Sequence, residues 1–286
     1  MDTKTIMGCL AIFGSAFCFY LATVIIKWSS MAGLKIDSSL FTFARFSVGF
    51  ATVLLVMGIG RYKIKIVKKH FLIGRALGNC TAVYCFFKGV ELTSVAQANI
   101  LNMTYPLFIA IFSWVIFKAQ RDLVAIFMVL IAFAGVWLIL APTRMAFDYN
   151  SMWGLGSGIS AAVAIIYLNL SRQVHDTHTT LFFMFGLGTV VVFCLFYDQM
   201  RIPSLAEFYY LFWCSGVAIA GQYLFTVGFK YVTAIEGGII SSTRILLAAM
   251  LGPFIATDPS LALSGWMGAF LIFVANIYLA TRKAKG

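Results

Sequence analysis

The sequence predicts an all-α integral membrane fold of ten transmembrane helices, laid out as two inverted repeats of five. Three observations carry that expectation: an apolar content beyond what a soluble core can use, uncharged runs long enough to cross a bilayer, and self-similarity between the two halves. Of the 286 residues, 62% are hydrophobic and 11% charged, and the mean hydropathy is +0.94. A soluble domain of this length could not bury so much apolar surface, so lipid must be the main solvent. At 1.5 Å per residue, a hydrocarbon layer of about 30 Å needs roughly 20 uncharged residues in a row.

Such runs follow one another along the chain. The first covers 5 to 26, between Lys4 and Lys27. It is too long for a signal-peptide core, and Lys27 and Trp28 follow it rather than a small-residue cleavage site, so it is expected to remain as a helix. The second, 38 to 60, contains Arg45, and the third, 71 to 90, contains Arg75 and Lys88. The fourth to eighth are free of charge: 92 to 117, 123 to 143, 149 to 171, 177 to 197 and 208 to 229. The ninth, 237 to 257, contains Arg244, and the tenth, 259 to 281, is uncharged.

The connecting segments give an orientation. With the N-terminus inside, the inner segments hold 13 Lys and Arg residues, against Lys35, Arg144 and Arg201 outside. Basic residues collect on the cytoplasmic side of membrane proteins, so both termini are expected in the cytoplasm, as an even number of spans requires. The net charge of +11 therefore reads as a topology signal, and nucleic acid is not an expected partner. All six cysteines fall inside predicted spans without paired spacing and read as small core residues. No metal and no cofactor are expected.

Compared with itself at an offset of 140, the chain aligns 88 to 95 with 228 to 235, and at an offset of 146 Gly8 falls on Gly154. Residues 1 to 140 and 151 to 286 thus read as diverged copies of one five-helix unit, joined by 141 to 150. Five is an odd number, so the second copy must be inverted. Two similar units of opposite orientation can pack in two related ways, one open to each side, which is what alternating access needs.

The Phe-Ala-Arg-Phe segment at 43 to 46, the run Phe87-Lys88-Gly89-Val90-Glu91-Leu92-Thr93-Ser94-Val95-Ala96, and Tyr105-Pro106-Leu107-Phe108, set in a five-plus-five layout, resemble the drug/metabolite transporter superfamily, specifically its EamA-type ten-helix members. The resemblance covers nearly the whole chain. It implies a central cavity lined mainly by spans 1, 3, 4, 6, 8 and 9, with spans 5 and 10 at the periphery. It also implies a bacterial inner (plasma) membrane, a small-molecule substrate, and a homodimer as an assembly left open. Members differ in cargo, including amino acids, nucleobases, vitamins, adenosylmethionine and drugs, so the fold names no substrate. One departure is Pro106 near the middle of span 4, where span 9 delays its proline to Pro253. The two spans are expected to bend at different places.

Arg244 is the sharpest candidate for substrate binding. It lies roughly 12 Å into the membrane core, too deep to reach water along its own helix. A charge at that depth faces a wet cavity or a partner, and a carboxylate or phosphate is its natural guest. Arg45 is equally deep, but the resemblance sets span 2 away from the cavity, which favours a structural role. Lys27 and Lys88 lie within reach of their helix ends, and Arg75 lies near the basic inner loop. Asn99 and Asn102 share one face of a helix that also carries Pro106. They belong either to an interhelical hydrogen bond or to a substrate site. Asn79, Tyr84, Gln222, Ser241 and Tyr20 complete the candidates. Gly154 and Gly158 have the spacing of close helix packing.

No Asp or Glu lies deep in any predicted span, which favours exchange or facilitated movement over proton coupling; Glu236 is the best placed proton carrier. The function expected is secondary transport of a small polar metabolite, with a lean toward an amino acid or other carboxylate-bearing solute. Export of drugs, nucleobases or adenosylmethionine is the alternative within that class. A non-transporting structural membrane protein is the alternative outside it. No HExxH, GxSxG or paired intramembrane Asp is present, so no enzyme chemistry is evident.

Overall fold

The computed structural model describes residues 3–116, 123–140, 149–171, 173–231, 234–258 and 260–282. Eleven α-helices account for most of them: α1 (Thr3–Met31), α2 (Ser38–Gly60), α3 (Lys69–Leu92), α4 (Val95–Asn102), α5 (Tyr105–Ile116), α6 (Leu123–Leu140), α7 (Met152–Ser171), α8 (Thr177–Leu195), α9 (Leu205–Tyr231), α10 (Ala234–Ile255) and α11 (Leu263–Arg282). No strand is found among the described residues. Five helical stretches are long and apolar enough to cross a membrane: Thr3–Met31, Ser38–Gly60, Tyr149–Leu168, Thr177–Leu195 and Leu205–Gly228. Shorter apolar stretches occupy Phe127–Ile139, Ile240–Ile255 and Leu263–Tyr278. Large apolar side chains such as Leu55, Ile59, Trp137, Val190, Met250 and Phe254 point outward. That surface suits lipid rather than water. Most of the 141 to 150 connection lies outside the described residues.

The helices pack in pairs, α1 on α9, α3 on α7, α2 on α8 and α6 on α11. Between lipid-soluble helices the attraction comes from close contact, so small residues at the interface matter. A Cβ on Gly135 of α6 would come within 2.7 Å of the Gly268 carbonyl oxygen, and one on Gly268 of α11 within 2.6 Å of that of Gly135. Only two facing glycines allow that approach. On α2 and α8 the rings of Phe46 and Phe185 meet edge to face at 6.0 Å. Each also covers a glycine of the other helix, Gly188 and Gly49 respectively.

The single span expected over 92 to 117 is instead two helices, α4 and α5, separated by Met103 and Thr104. Pro106 is not the centre of a kink. It is the second residue of α5, where a missing N–H costs nothing and its fixed φ favours a helix start. The Asn276 amide of α11 donates to the Met103 carbonyl at 2.8 Å, replacing a bond that the break removes. At the other end of α4, Ser94 accepts the Gln97 N–H at 3.0 Å. Asp258 accepts the Ala96 N–H at 2.9 Å from the loop after α10. Burial holds the Asp258 carboxyl above the usual carboxylate range, against the lowering pull of the Ala96 and Val95 amides.

Candidate functional site

The break between α4 and α5 opens onto a cavity of about 110 Å³ in the middle of the bundle. Helices α1, α3, α4, α5, α7, α9 and α10 line it, as the six spans expected from the resemblance would; α2 adds Arg45. Its polar lining is strongly one-sided in charge. Arg45, Arg75 and Arg244 reach it, with Asn79, Asn102, Gln222, Ser15, Ser241 and Tyr105, and among the described residues no acid lines it.

All three arginines are buried, at 5%, 4% and 5% exposure, which places them in the protein interior rather than at an interface. Arg244 is held from two sides. Its Nη2 donates to Oδ1 of Asn102, the last residue of α4. The helix ends there with the negative end of its dipole, which favours a cation. Asn102 in turn donates from Nδ2 to Ser157 Oγ of α7 at 2.9 Å, and Ser157 donates to the Gly154 carbonyl at 2.6 Å. Aromatic faces support the other side. The Arg244 guanidinium lies 5.3 Å from the Phe86 ring centre and 5.9 Å from that of Phe19. Arg45 lies 5.5 Å from the same Phe19 ring and 5.7 Å from Phe87. Such contacts spread some of the charge over a ring face but leave the N–H groups free to bond elsewhere.

The eight expected site residues divide. Arg244, Asn102, Asn79, Gln222 and Ser241 line the cavity together. Asn99, Tyr84 and Tyr20 do not. Asn99 donates to Thr23 Oγ1 of α1 at 3.0 Å and to the Val95 carbonyl at 2.8 Å, so of the two asparagines one ties helices and the other faces the cavity. The break after Asn102 also ends the shared face with Pro106. Tyr20 is buried in the core beside it, and Tyr84 stacks on Phe196 with ring centres 4.5 Å apart. Both are packing residues, because their apolar rings found partners away from the polar centre.

Arg45 and Arg75 both reach the cavity. Arg45 does so from α2, the span that the resemblance set away from it. Arg75 also lines a narrower space with Gln222, Thr226, Thr177 and Thr180, at the start of α8, where Thr179 accepts the Lys65 N–H of the basic loop at 3.3 Å. A signal for Arg75 was present in the sequence. Arg75, Asn79, Val83 and Phe86 recur at helical spacing on one face, and all four line the cavity. Lys88 bonds Glu91 at 2.8 Å near the end of α3, consistent with its expected outward reach. The side chain of Glu236 lies outside the described residues.

The EamA-like transporter family matches residues 6–141 and 150–281. An uncharacterized transporter of Archaeoglobus fulgidus is 24% identical, over 86% of this chain and 88% of its own. The pseudopaline exporter CntI of Pseudomonas aeruginosa is 23% identical over 94% of each chain. Solute carrier family 35 member G1 of Mus musculus is 22% identical over 48% of this chain and 41% of its own length. A solved crystal structure superposes with a TM-score of 0.63 over 99% of this chain and 98% of the other, at 18% identity, a likeness of fold alone.

Proposed function

The chain belongs to the EamA-like transporter family, and from that premise we propose that it moves a small polar metabolite across a membrane by alternating access to the cavity at Arg244. Its place in a transporter family, not an enzyme family, agrees with the absence of any catalytic motif. The observation that carries the proposal is the cavity itself: a space of about 110 Å³ at mid-bundle, with buried cations lining it at the point where a helix breaks. Irregular backbone inside a membrane is tolerated where it lines a cavity, and broken helices are the usual substrate sites of secondary transporters.

The pairing of helices supports the ten-span inverted repeat. Exchange α1 with α7, α2 with α8, α3 with α9, α4 and α5 with α10, and α6 with α11. The contact of α1 with α9 then becomes that of α7 with α3, and α2–α8 and α6–α11 map onto themselves. The contact of α1 with α10 becomes that of α7 with α4 and α5, which is also present. The basic 61 to 69 segment then faces the cytoplasm, with both termini. The cation-only lining favours a carboxylate-bearing or other anionic solute over a cationic drug.

Purified protein in proteoliposomes, loaded with unlabelled solute and offered the labelled one, tests this reading. Wild type should show counterflow for at least one anionic metabolite, and Arg244→Gln should reduce it at least about tenfold, the scale of a lost charged hydrogen bond. Equal counterflow by both proteins would remove Arg244 from the site. No counterflow of any solute would remove the transporter reading.

A further inference from the structure

We propose that the cavity is built for a short dicarboxylate, with an anionic group at each end, rather than for a zwitterion or a guest with a single anionic group. The inference rests on the transport reading for its place in the membrane, but its own ground is the charge balance of the site. Three guanidiniums line one small cavity, all deeply buried, and none belongs to either of the ion pairs found among the described residues. Nε of Arg45, of Arg75 and of Arg244 is buried without a hydrogen-bond partner. A buried cation without a counter-charge is costly, and the cost falls on each of the three. Among the described residues the lining offers amides, hydroxyls and rings but no carboxylate to balance them.

The arginines also occupy two distinct places. Arg45 and Arg244 approach one another over the ring of Phe19, at 5.5 and 5.9 Å from its centre. Arg75 also lines a narrower adjoining space that neither Arg45 nor Arg244 enters. It reaches back toward Gln222 and the threonines of α8. One anionic group of the guest would sit between Arg45 and Arg244, where planar forks can bind its oxygens in pairs. The other would meet Arg75, with Asn79 and Gln222 on the neutral part between. A zwitterionic amino acid fits this lining poorly, because its ammonium would meet cations and no acid. A monocarboxylate leaves one of the two cationic places empty.

Equilibrium binding to the detergent-purified full chain, by calorimetry, tests the inference apart from transport. The probes are succinate, sn-glycerol 3-phosphate, propionate and alanine, and each protein's folding is checked by its gel-filtration profile. Succinate should bind, and glycerol phosphate, propionate and alanine should bind at least about tenfold more weakly. Arg75→Gln should lower succinate affinity roughly tenfold to a hundredfold while leaving propionate unchanged, and Arg75→Lys should restore part of the loss. A merely structural Arg75 would weaken every probe together. Glycerol phosphate, propionate or alanine binding as well as succinate, or no binding of any probe, overturns the inference. Alanine counterflow without succinate binding sinks it and leaves the transport reading standing. Succinate binding with no counterflow of any probe leaves the site standing and sinks transport.

Discussion

The cavity is bounded on one side by α4 and α5, which break, and on another by α10, which does not. Both contain a proline, yet the proline decides neither outcome in the same way. Pro106 opens α5, whereas Pro253 sits inside α10, near its end. The broken side supplies an acceptor, the Asn102 side chain, and the negative end of the α4 dipole. The continuous side supplies the cation, Arg244, on a helix rigid enough to hold it there. A charge and its counter-dipole thus come from different helices, and the cavity exists where they meet. Any element that supports the break should therefore count for more than one that merely extends α10.

The largest effect should come from Gly158 of α7, which seats the break. A Cβ there would lie 2.5 Å from Thr104 Oγ1 and 2.9 Å from the Leu101 carbonyl oxygen, an approach to backbone that cannot relax. Gly158→Val should cost about 3 kcal/mol, the upper range for forced overpacking. Thermal unfolding in detergent should show it, while Gly216→Val, which meets nothing within 4 Å, should be close to neutral. Equal behaviour of the two variants would mean that the break is not seated by α7.

A smaller effect is expected at the tie from α11. Asn276→Leu leaves the buried Met103 carbonyl without its donor. The loss should be about 2 kcal/mol, the penalty of one unsatisfied buried group. A parallel fall in counterflow, larger than stability alone explains, would show that the break must be held in place for transport.

The smallest effect concerns the start of α4. Asp258 has its carboxyl pKa raised by burial, so the folded protein holds that proton more tightly than the unfolded chain does. Its contribution to stability is therefore present at acid pH and is lost as pH rises from the unfolded value, about 3.9, through the raised folded value. Asp258→Asn should flatten that part of the profile, measured as the unfolding midpoint across the acid range. A profile unchanged by the substitution would place the slope on another group.

Much of the fold was legible in the sequence because lipid imposes a simple rule. Uncharged runs of sufficient length must be helices, and their limits follow from charges, so the spans came within a few residues of α1, α2 and α7 to α11. A bend near Pro106 was legible, since a proline forgoes the bond to the carbonyl four residues back, but a full break at Met103 and Thr104 was not. It depends on Asn276, far along the chain, to satisfy a carbonyl that no local residue could. Of the site, Arg244 was legible from depth alone, and Asn79 and Arg75 shared a visible face. Tyr20, Tyr84 and Asn99 stand off the cavity, because a polar atom in a predicted span states a need for a partner and does not say where in the bundle it will lie.

Composition and spacing by themselves determined that this protein is helical, lives in lipid and carries an isolated cation in its interior, since burying charge and apolar surface obeys local arithmetic. Only the tertiary structure decided that three arginines from α2, α3 and α10 converge on one cavity. Convergence depends on which helices touch, and that is set by glycine approaches and side-chain reach between segments distant in the chain.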